Sequence, residues 1–387
     1  MLDKSEPYSS IRASGPLAGF RIVEFAGIGP GPFACMMLAD MGAEVVTLDR
    51  IGAKKNLKSA AGRGRTVVEI DLKDNAAIAQ VLDLLEHADA LIEGFRPGVM
   101  ERLGLGPDDC LTANPRLVYG RVTGWGQDGP LAQAAGHDVN YIALSGALHT
   151  IGTKDDIAIP LNLVGDFAGG GMYLAFGIVC ALFETAKSGK GQVVDTAMVD
   201  GAASLMTYIH SIRVAGKWSD TRGENVLDGG AHFYSVYKTS DGRHISVASA
   251  EPKFYAELLR LTGLCHDKDL PSQLDRAKWP MLRQRLAGIF ASKTRDEWCA
   301  LMEGSDVCFA PVLTLQEAID HPHNRARNTF IEVDGVVQPA PAPRFSRTVP
   351  QPPQAPRASG VDLEGTLGRW GFCANEIAAL RDSGAVR

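Results

Sequence analysis

Residues 19–50 read GFRIVEFAGIGPGPFACMMLADMGAEVVTLDR, and the order of textures in that stretch decides the fold. The β-branched run RIVEFA (21–26) predicts a strand, PFACMMLADMG (32–42) a helix, and EVVTLD (44–49) a second strand. Strand, short turn, helix and strand make the βαβ unit of a parallel sheet. The alternation continues outward. TVVEIDL (66–72) predicts a strand, AAIAQVLDLLEHA (76–88) a helix, and ADALIEGF (88–95) and RLVYGRVTG (116–124) two more strands. The expected fold class is α/β, a Rossmann-like, doubly wound parallel sheet with helices on both faces.

Beyond Asp138 the pattern turns helical and apolar, and DFAGGGMYLAFGIVCALFETAKSGKG (166–191) predicts one long, nearly buried helix closed by Gly189. GQVVDTAMVDGAASLM (191–206) then predicts a strand running into a helix. After about residue 225 two alternating runs flank Asp241–Gly242, a hairpin signal, with helical segments near 252–263, 279–292 and 294–304. A small α+β domain is therefore expected beside the large one. The expected boundaries are 1–200 for the first part of the large domain, 201–225 for a linker, and 226–310 for the small domain. A second linker (311–334) and a return to the large domain (335–387) complete the chain. The proline-rich stretch 339–356 predicts an extended connector, and NEIAALRDSGAV a short terminal helix.

Net charge is −6, with 45% hydrophobic and 22% charged residues, so neither nucleic acid nor a membrane surface is an expected partner. The seven cysteines are odd in number and form no C-x-x-C pair, so neither a disulfide framework nor a metal site is expected. No apolar run is read as reaching the roughly 18 residues of a spanning helix. MLDKSEPYSSIRASG lacks a signal peptide's apolar centre and SGAVR is not a peroxisomal address, so the expected location is cytoplasmic.

Gly27–Ile28–Gly29–Pro30–Gly31–Pro32 stands where a dinucleotide-binding loop stands, with Asp49 about 20 residues on, the distance of a ribose-binding carboxylate. Pro30 and Pro32 argue against a bound pyrophosphate, because neither carries an N–H to donate. Basic residues are concentrated at strand ends. Arg50 ends the second strand, Lys54, Lys55, Lys58, Arg63 and Arg65 follow, and Arg96 and Arg102 come after the fourth. In an acidic chain such a cluster predicts a site for a phosphorylated ligand, with a solvated loop as the plain reading of the three lysines.

Three residues are candidates for acid–base work. His137 lies in GHDVNYIALSG (136–146), Asp166 in VGDFAGGGM (164–172) and Glu251 in SAEPKFY (249–255). Taken singly, each has an ordinary reading, a structural histidine and two helix caps.

Together with EGFRPGVMERLGLG, TGWGQDGP, SGKGQVVDTAMVDG and the opening stretch, these segments resemble the class III CoA-transferase superfamily, over essentially the whole chain and in the family's order. GHD, GDFAGGGM and AEPKFY are most similar to members that interconvert (2R)- and (2S)-2-methylacyl-CoA thioesters. The resemblance implies an interlocked homodimer, an acyl-CoA substrate, and no cofactor beyond the CoA of the thioester. It implies that His137 and Asp166 are opposed bases and that Glu251 is hydrogen-bonded to His137. It further implies that Arg50, Arg63, Arg65, Arg96 and Arg102 lie at or near CoA. Gly62–Arg63–Gly64–Arg65 departs from the family's Asn-Arg-Gly-Lys, keeping the charges and losing the amide.

Inverting an α-carbon requires a proton to leave one face and return to the other, which two bases accomplish. If the α-proton is roughly ten pKa units less acidic than imidazolium, the mismatch is about 14 kcal/mol, and stabilisation of the enolate oxygen must supply most of it. His137 and Asp166 are both predicted at helix starts, where free N–H groups favour an anion, and the backbone N–H of Asp138 is the candidate donor. The rival reading is a class III CoA-transferase with Asp166 as nucleophile, forming an aspartyl anhydride; such enzymes usually carry a non-basic residue at the position of His137. A non-catalytic acyl-CoA-binding protein is the third. The acyl group itself stays open among branched fatty, bile-acid-type and arylpropionyl chains.

Overall fold

A computed structural model describes residues 14–54 and 56–382. Lys55, residues 1–13 of the stretch read for a signal peptide, and the terminal SGAVR lie outside the described residues. The described chain divides into two units. One runs up to Ser145 and takes in Leu161–Leu205 and everything from Phe330; the other holds Gly146–Pro160 and Met206–Thr329.

In the first unit, Val23 and Phe25 of strand β1 (Arg21–Phe25) enter one apolar cluster and Ile22 the other. Alternate side chains of one strand thus bury into two different cores, which only a sheet covered on both faces allows. Helix α1 (Pro30–Asp40) leads to β2 (Glu44–Arg50), β3 (Arg65–Ile70), α2 (Asn75–Glu86) and β4 (Ala90–Glu93). Two short helices, α3 (Val99–Arg102) and α4 (Pro107–Ala113), precede β5 (Val118–Thr123) and α5 (Asp138–Leu144). A π-helix (Leu163–Met172) continues directly as α6 (Tyr173–Ser188), followed by β6 (Gln192–Ala197) and α7 (Met198–Leu205). The six strands pair in parallel in the order β3-β2-β1-β4-β5-β6, the doubly wound sheet expected from residues 19–50. α2 covers one face and α1 with α6 the other. A Cβ on Gly120 of β5 would lie 2.6 Å from Ile178 Cδ1, so glycine is what lets α6 sit on the strand.

The long helix departs from expectation in three ways. It starts at Leu163, its first ten residues have π geometry, and it is buried along one face only. From Leu163 to Ser188 it is also long and apolar enough to cross a membrane by length and composition, against the reading that no such run exists. Its apolar character has a local cause: Leu174, Ile178 and Leu182 pack into the core beneath the sheet. Gly189, at φ 76°, ends it as read.

The second unit holds α8 (Thr207–Val214) and an antiparallel sheet of β7 (Tyr234–Lys238), β8 (His244–Ala248) and β9 (Phe309–Val312), with Gly242 at φ 79° in the predicted hairpin turn. Helices α9 (Pro252–Leu261), α10 (Trp279–Phe290) and α11 (Arg295–Met302) stand where helical segments were predicted. Gly146–Pro160, expected with the large domain, belongs here because Arg222 donates to the carbonyls of Thr153 and His149, both at 3.0 Å.

Candidate active site

The frame begins with two missing side chains. A Cβ on Gly124 would lie 2.1 Å from the Tyr141 ring and one on Gly136 2.7 Å from it, so the ring occupies the space both glycines leave. Tyr141 donates its hydroxyl to the Gly136 carbonyl and meets Trp125 edge-on, with ring centroids 4.8 Å apart. The residue after Gly136 is thereby held at the mouth of α5. There the His137 N–H donates to Asn140 Oδ1 at 3.0 Å, and its imidazole is exposed.

Asp138 turns the other way and is 5% exposed. Its Oδ2 accepts the backbone N–H groups of Gly165 and Asp166, each at 2.7 Å, at the start of the π-helix. Oδ1 is buried with no partner. Asp166 is half-buried, receives Asn162 Nδ2 at 3.3 Å, and faces Gly29, where a Cβ would lie 3.4 Å from its Oδ2. The Gly27–Pro32 turn is thus the wall opposite Asp166. Burial lifts the Asp166 carboxyl above the usual carboxylate range; the Asn162 bond pulls it down, the Asp138 charge pushes it up, and nearby His137 pulls it down. Burial prevails. A base with a raised pKa is a stronger proton acceptor, and its conjugate acid is present closer to neutral pH.

His137 lines a cavity of about 300 Å³ shared with Ile28, Glu93, Arg96, Trp125 and Tyr141. Asp166 is not on its wall but faces the turn that is. A second cavity, of about 240 Å³, opens at the ends of β1 and β2 among Glu24, Asp49, Lys54, Arg65 and Arg357.

The arginines separate into two kinds. Arg50, Arg96 and Arg102 are exposed at strand or helix ends, and the Arg102 guanidinium lies 3.1 Å from where Gly98 would carry a Cβ. Arg63 is corrected from ligand contact to structure. It is 2% exposed, and its donors go to Asp40 (2.9 and 2.5 Å), Gln338 Oε1 (2.8 Å) and the Pro339 carbonyl (2.8 Å). Arg65 is mostly committed as well, donating to Glu24 at 2.7 Å and to the Ala61 carbonyl, although it lines the second cavity. Glu251 occupies the N-cap position of α9 in the second unit, yet its side chain makes no capping hydrogen bond.

Two residues were not singled out from sequence. Glu93, 1% exposed, accepts the Phe95 N–H at 2.7 Å and Arg121 Nε at 2.8 Å, folding the loop that brings Arg96 to the cavity. Burial raises its carboxyl, against the Phe95 bond and the Arg121 charge. It was visible beside Arg96 in the EGFR segment, but nothing local distinguishes a buried acid from a solvated one. Arg357, the residue just after the proline-rich connector, joins the second cavity from a stretch that carries no ligand signal. Among the described residues no group of three or more His, Cys, Asp or Glu can hold a metal ion.

Comparison with known proteins adds a separate line. Residues 17–360 match CoA-transferase family III. Alpha-methylacyl-CoA racemase of Mus musculus is 45% identical over 375 residues, covering 96% of this chain and 97% of its own. The human protein of that name is 44% identical over 368 residues, covering 94% and 96%. The crystal structure of Rv3272 from Mycobacterium tuberculosis is similar with a TM-score of 0.74 at 29% identity, covering 90% of this chain and 98% of its own.

Proposed function

Since this chain belongs to CoA-transferase family III, we propose that within it the chain is an isomerase that interconverts (2R)- and (2S)-2-methylacyl-CoA thioesters. The observation that carries the reading is a histidine held beside a carboxyl group of raised pKa, the two joined through Asp138. An enzyme that uses Asp166 only as a nucleophile has no need of that histidine. The identity of 44–45% to two racemases supports the same choice.

One of His137 and Asp166 removes the α-proton, and the conjugate acid of the other returns a proton to the opposite face. The backbone N–H of Asp138 is the donor assigned to the enolate oxygen. Glu251 is the residue assigned to orient the imidazole of His137, a role supported by a carboxylate that leaves its own helix end uncapped. Arg50, Arg96 and Arg102 hold the phosphates and pantetheine of CoA; their exposure at strand and helix ends supports that role, and Arg65 contributes at the second cavity. Besides the CoA of the thioester the reaction needs no cofactor. A homodimer belongs to the proposal. Its support is the uncovered apolar face of α6, where Phe176 is 69% and Phe183 64% exposed, beside Val193 on the edge strand β6.

Incubating each epimer of a 2-methylacyl-CoA with the enzyme in D2O tests this. Racemisation with deuterium entering the α-carbon is the expected result. Absence of exchange above the enzyme-free rate, with transfer of CoA to an added carboxylate and release of the 2-methyl acid, would establish the aspartyl-anhydride route instead.

A further inference from the structure

We infer that the side chain of Asp138 is a positioning residue for the isomerisation, holding Asp166 as a base through the backbone that carries it. The inference rests on the racemase reading and deepens it. Asp138 is covalently next to His137, and its Oδ2 accepts both Gly165 N–H and Asp166 N–H at 2.7 Å. One buried carboxylate therefore links two bases that are far apart in the chain, since Asp138 directly follows His137 and stands 28 positions before Asp166. Both bonds are charge-assisted and converge on a single oxygen, which defines the direction of the first π-helical turn. The fit is close on the other side too. A Cβ on Gly165 would lie 2.7 Å from Asp138 Oδ2, so only glycine lets the clamp close.

The clamp also retains a charge that a purely structural tie would not need. Oδ1 is buried without a partner, an arrangement that is costly to keep in a protein interior. Its consequence falls on Asp166, whose carboxyl the Asp138 charge pushes up, opposed by His137 from the same helix and Asn162 from its own segment. From α1 and α7, the residues that a Cβ on Gly169, Gly170 or Gly171 of the π-helix would meet are Pro30, Phe33, Met198 and Ala202, none of them charged, and from α5 the Tyr141 hydroxyl feels the Asp166 charge. This role is distinct from that of the backbone N–H of Asp138, which every side-chain substitution keeps.

The test is Asp138→Asn, which preserves volume and one acceptor oxygen, with each epimer followed separately in D2O. Epimerisation should fall in both directions alike, as the equilibrium constant requires, by on the order of 10²-fold. Exchange without inversion should survive for one epimer, the one deprotonated by His137, and collapse for the other. Asp166→Ala must spare the same epimer. Gly165→Ala displaces the same oxygen from the far side and should reproduce the asymmetry even if Asp138→Asn does not fold. Wild-type rates in Asp138→Asn, or equal loss of exchange from both epimers, overturns the inference. Absence of exchange in the wild type overturns the racemase reading itself.

Discussion

Asp74 and Asp166 both stand at the N-terminal end of a helix, one as its cap and the other in its first turn, and the chain treats them oppositely. Asp74 N-caps α2, its carboxylate accepting the Ala76 N–H at 2.9 Å. Asp166 caps nothing. Its own N–H is capped from another helix by Asp138, and its carboxyl is left half-buried, facing Gly29. An acid that closes a helix end is held by the backbone, whereas one relieved of that duty is available to a proton. The arginines repeat the contrast, with Arg63 enclosed by Asp40 and Gln338, and Arg96 open to the cavity beside His137.

The strongest way to break the comparison is at the bases. His137→Ala and Asp166→Ala should each lower epimerisation by about 10³-fold or more with little change in melting temperature, measured by chiral separation of the products. If either retained near-normal racemisation, the contrast would carry no chemistry. Next come the two arginines. Arg63→Ala leaves Asp40 buried and unpaired and should cost roughly 3–5 kcal/mol in a denaturant titration. Arg96→Ala should instead raise KM for the thioester about tenfold at unchanged stability. A reversal of those two readouts would exchange their roles.

Asp74→Ala should cost about 1 kcal/mol, the usual price of a lost cap, and leave kcat untouched. The smallest effect sharpens the account of Asp166. The base must be deprotonated to accept a proton, so its activity falls as pH drops through its pKa, which burial has raised. Asn162→Ala removes a hydrogen bond that favours the charged form and should move the acidic limb of exchange to higher pH. Asp138→Asn removes a neighbouring negative charge and should move it lower. Shifts in the same direction in both variants would contradict the assigned causes.

The parallel sheet was legible from residues 19–50 because strand and helix periods are local properties. So was the hairpin at Asp241–Gly242, where a turn demands a positive φ. Arg63 was misread because the groups that enclose it come from 23 and 275 positions away, and no window of sequence contains them. The same distance hid Arg357, and Glu93 was hidden by its burial. The start of the long helix was misplaced because Asp166 looks like an N-cap until Asp138 is seen to take that place. His137, Asp166 and Glu251 were individually ambiguous, and what marked them out was the order of motifs along the whole chain.

The sequence by itself determined the alternation of elements, the chemical inventory and the family. Tertiary structure alone decided which charges are consumed by structure and which remain for chemistry. The reason is that a carboxylate or guanidinium takes whichever partner folding brings within about 3 Å. Asp138 and Asp166 have the same side chain. One is buried against the other's backbone and acts by holding it, and the other, held in that way, keeps its carboxyl for the proton.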